Sequence, residues 1–328
     1  HVGQSLDKAS NYHDGSYVGY GDSRRNQAGW LNEFTLAPGQ QLTVGVDYQS
    51  QHVSSNTAYL KTDRDDIGVF AQYQGTFGAN EIQLSARRDH NQQFGNHVTG
   101  AVAWGYHFAH GLTLSASWGT AFHAPTFNDL YWPTTPGFPP SADPHLKPET
   151  SRNAEIDLGA RHTHWHWQIS AYRNDIDQLI ALNAYFTPGN ISDATIRGLE
   201  GQLGGQWRGW TWDTYLTWQK PENSDGGIND GNLLPRRFER SARFDLDRQL
   251  GAFNVGGTFK AFSGRYNDIA NRQWLGGYTT LDLRAGWTFA RHWQAQLKLE
   301  NAFDRRYETI YYYNQPGRTA MLTLRYLP

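Results

Sequence analysis

The segment HWQAQLKLEN, His292–Asn301, has two chemically different sides. Successive side chains of a strand point to opposite faces. The segment therefore presents an apolar row against a polar one: Trp293, Ala295, Leu297 and Leu299 against Gln294, Gln296, Lys298 and Glu300. One such strand fits many sheet proteins, but the same pattern continues through most of the chain.

The alternation predicts about sixteen strands, many with the 10 or so residues that a tilted strand needs to cross a bilayer. The candidate strands are 27–37, 40–53, 64–77, 79–89, 97–108, 111–121, 151–162, 164–176, 178–187, 195–208, 210–220, 235–249, 252–263, 276–289, 292–301 and 317–327. The first residues, HVGQSLDKAS, are polar, and we expect them to lie in a loop. They contain no apolar core of a signal peptide.

The connections between these strands alternate in length. Tight turns such as GTFGAN and QWRGW separate long polar connections at 122–150, 221–235, 263–275 and 302–316. Short periplasmic turns and longer extracellular loops alternate in this way in bacterial outer-membrane barrels. The predicted fold class is therefore an all-β, antiparallel transmembrane barrel with lipid outside and a polar lumen.

Composition agrees with this fold class. The chain has 328 residues, only 38% of them hydrophobic, but 14% aromatic with 13 Trp and 18 Tyr. Barrels need apolar residues only at alternate positions and concentrate Trp and Tyr at the membrane interfaces. No apolar run is long enough for a transmembrane helix. A net charge of −2 gives no indication of a nucleic-acid partner.

A soluble propeller or sandwich is the alternative fold. Its strands would have to bury mid-strand charges such as Asp282 and Arg284 at a cost of several kcal/mol each. The absence of cysteine excludes disulfides and thiolate metal sites.

The C-terminal residues carry a family resemblance. NAFDRRYET at 301–309, Pro316-Gly317-Arg318 and the final strand TAMLTLRYLP resemble the C-terminal signature of TonB-dependent outer-membrane receptors. The matching positions are Asn301, Phe303, Asp304, Tyr307, Gly317, Arg318 and Tyr326. We expect Asn301 and Asp304 to cap the turn, Gly317 to free the backbone, and Arg318 to reach lumenal carboxylates.

Further segments resemble the cobalamin (vitamin B12) receptor branch of that family. They are WGTAFHAPTFNDLYW at 118–132, DPHLKPETSRNAEIDLG at 143–159, WQISAYRNDIDQLI at 167–180, IRGLEG at 196–201, the Arg236-Arg237 pair, RDHNQQFGNH at 88–97 and GRYND at 264–268. Several of these motifs are widespread in the superfamily, so they specify a transporter more strongly than its ligand.

The resemblance implies that residues 1–328 are the C-terminal part of a receptor barrel. Such barrels have about 22 strands around a plug domain, and a TonB box precedes the plug. Neither is recognisable in this sequence, so we expect that the chain by itself cannot carry out energised uptake. The usual terminal Phe is replaced by Leu327-Pro328, which bears on recognition by the barrel-assembly machinery.

Four residues are candidate ligand contacts. Arg236 matches a cobalamin-contacting arginine of the family, and a lumenal ion pair is its alternative. Tyr131 and Trp132 offer flat apolar surface to a corrin ring, with loop packing as the alternative. Tyr266 lies in another long loop, although Ala270 stands where the family has a second aromatic contact.

Two groups of residues are candidates for metal binding. Asp14 and Asp22 are candidate calcium ligands, but calcium requires six to eight oxygens. His162, His164 and His166 alternate and so are expected to share a strand face, where they could chelate a metal; turn histidines are the commoner case. No catalytic motif is present, so we expect no enzyme and no covalent cofactor; an outer-membrane lipase is the enzymatic alternative.

The sequence therefore predicts an outer-membrane receptor for cobalamin, coupled to TonB through a plug. Two alternatives stay open: a receptor of the same fold for siderophores or other metal chelates, and a passive porin-like channel.

Overall fold

The computed structural model describes residues 1–133, 137, 140–182, 187–190 and 193–326. The chain divides into two compact units. Unit 1 comprises His1–Tyr106, Ala116–Ala154 and Asn174–Asp193, and unit 2 comprises His107–Ser115, Glu155–Arg173 and Ala194–Pro328.

Strands dominate the described residues. They are β1 Val2–His13, β2 Ser16–Ala37, β3 Gln40–Ser55, β4 Asp63–Phe77, β5 Asn80–Asn91, β6 Gly95–His107, β7 Leu112–His123, β8 Glu149–Arg161, β9 Trp165–Asp177, β10 Ile180–Leu182, β11 Pro188–Asn190, β12 Ala194–Trp207, β13 Trp210–Asn223, β14 Arg240–Leu250, β15 Phe253–Phe262, β16 Arg265–Tyr266, β17 Trp274–Leu275, β18 Tyr278–Ala290, β19 Trp293–Glu300, β20 Glu308–Ile310, β21 Tyr313–Asn314 and β22 Thr319–Tyr326. One short helix, α1 Phe127–Tyr131, and a 3-10 turn at Ala109–Gly111 complete the described elements.

Sixteen of these strands form one sheet in chain order, and three pairs of short strands form separate two-stranded sheets. Consecutive strands of the large sheet pair antiparallel wherever the register is defined within a unit. In unit 2, the two-residue turns Arg208-Gly209, Gly251-Ala252 and Arg291-His292 alternate with the longer connections 224–239, 263–277 and 301–318. The predicted all-β class, and about sixteen strands, are confirmed.

The apolar rows of unit 2 are in register. Leu297 lies opposite Ala285 on one side and Leu322 on the other, and Phe244 lies opposite Phe259. These side chains are exposed: Leu322 is 75% exposed and Leu297 50%. A continuous exposed apolar row on neighbouring strands is typical of a surface that contacts something other than water.

The polar rows of unit 2 form a charged network. Arg284 donates from Nε to Asp247 at 2.8 Å and from Nη1 to Thr258 at 2.8 Å. Lys260 pairs with Asp282 at 2.9 Å. These groups are partly exposed, and each of the four charges meets an opposite charge on another strand, so this part of the polar face is internally neutralised.

Unit 1 has a comparable charged cluster beside a cavity. Arg87 binds Asp47 through Nη1 at 2.7 Å and Nη2 at 2.9 Å, and its Nε donates to Asp89 at 2.8 Å. A cavity of 530 Å³ lies beside this cluster, lined also by Arg25 and Asp66.

Two strand predictions were wrong. Val2–His13 is strand β1, not a polar loop, because all its positions pair with β2 despite its composition. The predicted strand 178–187 is not part of the large sheet in its described portion; Ile180–Leu182 pairs with Pro188–Asn190 instead. The Asn190 side chain fixes this excursion by binding the backbone of Lys147 and Gln178. Residues 183–186 and Leu327-Pro328 lie outside the described residues.

Within the described residues, no helix has the length and apolar composition that a membrane span requires.

Candidate functional site

The long connection between β7 and β8 begins with helix α1. Thr126 caps it: the Thr126 hydroxyl accepts from Asp129 N at 3.2 Å, and the Asp129 carboxylate accepts from Thr126 N at 2.9 Å. This reciprocal capping box satisfies two donors at the helix start. The predicted loop 122–150 therefore contains a defined helix, which the sequence analysis missed although T-x-x-D is a recognisable cap.

Helix α1 carries a small hydrophobic core, the α1 cluster. It consists of Phe127, Leu130, Tyr131 and Leu146, which are all buried. Val53, Tyr59, Phe94 and Ile180 pack against it. Arg64 holds the cluster in place: its Nη1 donates to Pro125 O at 2.8 Å, and its guanidinium lies 5.0 Å from the centre of the Phe127 ring.

Tyr131 and Trp132 have different surroundings. Tyr131 is only 7% exposed, and Gln93 Nε2 donates to its hydroxyl at 2.5 Å. Tyr131 therefore packs within the loop, which was the alternative to a ligand contact. Trp132 is 45% exposed and meets the Tyr59 ring edge-on at 6.2 Å. Of the two, only Trp132 has a broad exposed aromatic surface.

Tyr59 completes this surface. Its hydroxyl donates to Asn128 Oδ1 at 2.7 Å. Burial against the α1 cluster raises the pKa of Tyr59 above its ordinary value, because the phenolate is less well solvated there.

In unit 2, the structure brings Arg236 and Tyr266 together. Arg236 N donates to Tyr266 O at 2.6 Å, and Arg236 Nε donates to Asn267 Oδ1 at 3.2 Å. Arg236 has a φ of 62°, a left-handed backbone that non-glycine residues rarely adopt. Such strain is typical of positions that the surrounding structure fixes for a purpose. The lumenal ion pair, its alternative, is not among the described contacts of Arg236.

Asparagine side chains join the surrounding connections, and we call them the amide latch. Asn271 accepts from Leu233 N at 2.9 Å and donates to Leu233 O at 2.8 Å. Asn232 donates to Ile269 O at 3.0 Å. Asn267 Oδ1 also accepts from Tyr311 N at 3.3 Å. Three long connections of unit 2 are thus held together around the Arg236–Tyr266 contact.

The aromatic rings of Tyr266 and Trp274 meet edge-on with centroids 4.9 Å apart. Ala270, where the family resemblance implies an aromatic contact, lies on the same connection. Trp274 is 56% exposed and supplies aromatic surface close to Tyr266. Its role is not recognisable from the sequence, because nothing in a linear sequence pairs it with Tyr266.

Arg265 is a second residue whose surroundings are not recognisable from the sequence. It is 6% exposed, and its guanidinium lies 5.5 Å from the centre of the Tyr278 ring. Its Nε and Nη2 atoms are buried without a hydrogen-bond partner among the described residues. Buried guanidinium donors normally have partners, so Arg265 retains capacity to bind an acceptor. The GRYND resemblance marked its position but not its burial.

The C-terminal motif builds a tight turn. Asn301 binds both backbone groups of Arg305, with Oδ1 accepting at 2.9 Å and Nδ2 donating at 2.9 Å. Asp304 Oδ1 accepts from Arg318 N at 2.8 Å. The predicted capping role of Asn301 and Asp304 is confirmed. Gly317 acts differently from the prediction: a Cβ there would lie 2.6 Å from Asp304 Oδ1, so close approach rather than backbone freedom requires glycine.

The other motif residues have simpler surroundings. Tyr307 stacks on Tyr278 at 4.0 Å, and burial raises the pKa of Tyr307. Tyr326 packs against Trp293 at 5.1 Å, and Phe303 is 68% exposed. The described ion pairs do not include the Arg318 side chain, so its predicted contact with lumenal carboxylates is not observed.

The candidate metal ligands do not converge. Asp14 lies in the β1–β2 turn, whereas Asp22 lies in β2 opposite Lys8. At about 3.3 Å per residue they stand roughly 20 Å apart along the strand. In the part of the chain that the structure describes, no group of three or more His, Cys, Asp or Glu residues is placed to hold a metal. Calcium at Asp14 and Asp22 stays a prediction.

The histidine prediction was wrong in its geometry. His162 and His164 lie in the β8–β9 turn and only His166 lies in a strand. His162 stacks on Trp165 at 4.5 Å, and His166 pairs with Asp213 at 3.2 Å. The turn separates side chains that uninterrupted alternation would have aligned.

Comparison with known proteins identifies the family of this chain. A family model described as "TonB dependent receptor-like, beta-barrel" matches residues 2–302. A Vitamin B12 transporter BtuB of Photobacterium profundum is 30% identical over 99% of this chain and 54% of its own length. A second one, of Vibrio vulnificus, is 29% identical over 93% and 50%.

A solved structure agrees in fold. A mutant of the ferric enterobactin receptor PfeA of Pseudomonas aeruginosa superposes with a TM-score of 0.78 at 18% identity, covering 99% of this chain and 58% of the receptor. The chain spans about half the length of the curated relatives that it matches. It belongs to the TonB dependent receptor-like β-barrel family, whose members are outer-membrane receptors and transporters and not enzymes.

Proposed function

We propose that this chain forms the barrel portion of a receptor that takes up cobalamin across the outer membrane. The observation that carries the proposal is the alignment of almost the whole chain with two vitamin B12 transporters. The solved structures are less than 25% identical and support only the fold, so they do not favour a siderophore. The family match favours a receptor over a passive channel.

The proposed ligand contacts lie on the long connections. Arg236 donates to Asn267 through Nε, and its Nη donors, which have no partner among the described residues, are available to carbonyl or phosphate oxygens of the ligand. Tyr266 with Trp274, and Trp132 with Tyr59, provide flat aromatic surfaces for a corrin ring. Tyr131 supports Trp132 from within the α1 cluster.

The polar strand faces would form the conduit. Their charges are paired, as in the Arg87–Asp47 and Lys260–Asp282 contacts, so a large polar ligand meets no strong uncompensated charge. We propose that a plug in the whole receptor blocks this path and that TonB moves the plug. Barrel-assembly machinery is the further proposed partner, through the β22 strand that ends at Tyr326.

Binding titrations of the full-length receptor test the ligand. We expect cyanocobalamin to bind with submicromolar affinity and ferric siderophores such as ferric enterobactin not to bind. Micromolar or weaker cobalamin binding would contradict the proposal, and tight ferric-chelate binding would establish the siderophore alternative. Large steady conductance in planar bilayers would instead indicate a channel.

A matched pair of variants tests the contact residue. Arg236→Ala should weaken cobalamin binding at least about tenfold, because hydrogen bonds to a charged donor contribute about 1.5–3 kcal/mol. Arg272→Ala removes an exposed arginine from the neighbouring connection and should leave binding unchanged. Equal affinities of the two variants would remove Arg236 from the site.

A further inference from the structure

The turn between β12 and β13 is unusual in its residues. Trp207 and Trp210 form the last pair of the hairpin, and Arg208 and Gly209 form the turn. Both turn residues have left-handed backbones, with φ of 49° and 81°. Such two-residue turns favour Asn-Gly or Asp-Gly. An arginine at the first position is conformationally disfavoured, and strained residues of this kind are common where the side chain has a function.

Two guanidinium groups lie on the two indoles. The Arg208 guanidinium is 5.0 Å from the centre of the Trp207 ring, and that of Arg248 is 5.3 Å from the centre of the Trp210 ring. Arg248 also approaches the turn, since its Nε is 3.8 Å from the position of a Cβ on Gly209. We call these four residues, Trp207, Arg208, Trp210 and Arg248, the Trp–Arg surface.

The two positive charges are not neutralised within the described residues. Neither Arg208 nor Arg248 forms an ion pair or a side-chain hydrogen bond there, and neither indole N–H has a described acceptor. By contrast, Arg243, Lys260 and Arg284 on the polar face each have an aspartate. The surface therefore offers two cations and two indole donors without an internal acceptor.

A cavity adjoins this surface. Its volume is 580 Å³, and it lies between the β12–β13 turn and His164 of the β8–β9 turn, with Gln206, Trp207, Arg208, Trp210 and Thr211 along its wall. Trp210 belongs to the apolar row that continues through Trp212, Leu216 and Trp218. The cavity thus adjoins the edge of the face that contacts lipid, where headgroups lie.

We infer that the Trp–Arg surface binds the headgroup phosphate of an anionic phospholipid such as phosphatidylglycerol. Guanidinium groups match phosphate oxygens with paired donors, and interfacial tryptophans fix their position at headgroup depth. Short turns face the periplasmic leaflet, where phospholipid supplies this phosphate. The inference rests on the family assignment and is independent of the ligand that the receptor transports.

A tryptophan beside another short turn provides a comparison, because its indole N–H has an acceptor within the protein. Trp104 lies beside the β4–β5 turn, and its indole Nε1 donates to Asn80 Oδ1 at 3.0 Å. The turn itself, Gly78-Ala79, carries no charge. Trp104 is therefore satisfied within the protein, whereas Trp207 and Trp210 have no such acceptor among the described residues.

Native mass spectrometry of the full-length receptor tests the inference. Phosphatidylglycerol and phosphatidylethanolamine with identical acyl chains are titrated against the wild type, the double variant Arg208→Asn/Arg248→Gln and the control Arg272→Gln. Each arginine near a lipid surface contributes about 1 kcal/mol, so the double variant should bind phosphatidylglycerol about thirtyfold more weakly. The control should retain the wild-type preference.

Folding and specificity have their own readouts. Arg208→Asn relieves the left-handed arginine, so we expect the hairpin to be retained or stabilised. In the wild type, raising NaCl from low to high concentration should remove the preference for phosphatidylglycerol over phosphatidylethanolamine. Equal binding of the two lipids by the wild type, undiminished binding by the double variant, or loss of lipopolysaccharide binding instead would overturn the inference.

Discussion

The β7–β8 connection of unit 1 packs on buried Arg64, and the β15–β18 connection of unit 2 contains buried Arg265. Among the described residues, only Arg64 has a hydrogen-bond partner for every nitrogen of its guanidinium group. Arg64 donates to Pro125 O at 2.8 Å and to Gln51 Oε1 at 2.8 Å. Arg265 lies against the Tyr278 ring, and its Nε and Nη2 have no hydrogen-bond partner among the described residues. The guanidinium donors of Arg64 are therefore all used within the protein. By contrast, Arg265, which precedes Tyr266 in the sequence, has two donors without a partner among the described residues.

The cores of these connections also differ. The α1 cluster is a hydrophobic core with a capped helix. The amide latch has Leu234 as a buried anchor but relies on Asn232, Asn267 and Asn271. Hydrophobic packing excludes water from a surface. Hydrogen bonds from asparagine side chains instead hold backbone segments in place and leave the neighbouring side chains free to contact a ligand. We expect the two regions to respond differently to mutation.

The largest effect should follow truncation of the α1 cluster. Leu130 is 1% exposed, and Leu130→Ala should cost about 3 kcal/mol through lost transfer energy and a residual cavity. Hydrogen–deuterium exchange of the full-length receptor should show faster opening of residues 124–133. The amide latch should exchange as in the wild type; acceleration there as well would contradict the separation of the two regions.

The buried arginines give the sharpest comparison. Arg64→Met leaves Pro125 O and the Gln51 amide without a donor and should cost about 2 kcal/mol. Arg265→Met removes unpartnered donors and should be neutral or stabilising within about 1 kcal/mol. Urea unfolding of both variants in the same detergent gives the two values. Equal destabilisation would mean that Arg265 has hydrogen-bond partners that stabilise the fold as much as those of Arg64.

A smaller effect is expected at the C-terminal turn. Gly317→Ala places a Cβ 2.6 Å from Asp304 Oδ1, and the displaced carboxylate then loses its bond to Arg318 N. The cost should be about 1–2 kcal/mol. The double variant Gly317→Ala/Asp304→Ala should cost less than the sum of the two single variants, because the clash is gone. Additive costs, measured by unfolding, would show that the glycine is required for another reason.

The smallest effect concerns pH. The pKa of Tyr59 is raised in the folded protein, so its neutral form contributes stability that is complete below the unfolded value of about 10. That contribution is lost as pH rises through the folded pKa. Opening of residues 124–133 should therefore increase with pH above 10 in the wild type and not in Tyr59→Phe, measured by exchange after correction for its intrinsic pH dependence. The same slope in both proteins would exclude Tyr59 as the cause.

Much of the sheet could be predicted from the sequence because strand alternation is a local signal. His292–Asn301 contains strand β19 with its apolar and polar rows in the predicted places. Alternation failed where pairing overrode composition. The polar residues Val2–His13 form a strand because β2 supplies every backbone partner, and the segment around Ile180 leaves the sheet because Asn190 fixes it to Lys147.

The candidate site was less predictable. Arg236, Tyr266 and Trp132 were identified through resemblance, but resemblance does not distinguish an exposed Trp132 from a buried Tyr131. The partners Trp274, Arg265 and Asn267 come from different points on the long connections, and their contacts depend on how those connections pack.

By itself the sequence determined the all-β class, the separation of apolar and polar strand faces, and the receptor family. These features follow from side-chain alternation and turn residues, which act over a few positions. Only the tertiary structure decided which arginine is satisfied, which tyrosine is buried and which two cations at the β12–β13 turn have no counter-charge among the described residues. Those properties depend on distances between residues far apart in the chain, and hydrogen bonding and burial follow distance rather than sequence order.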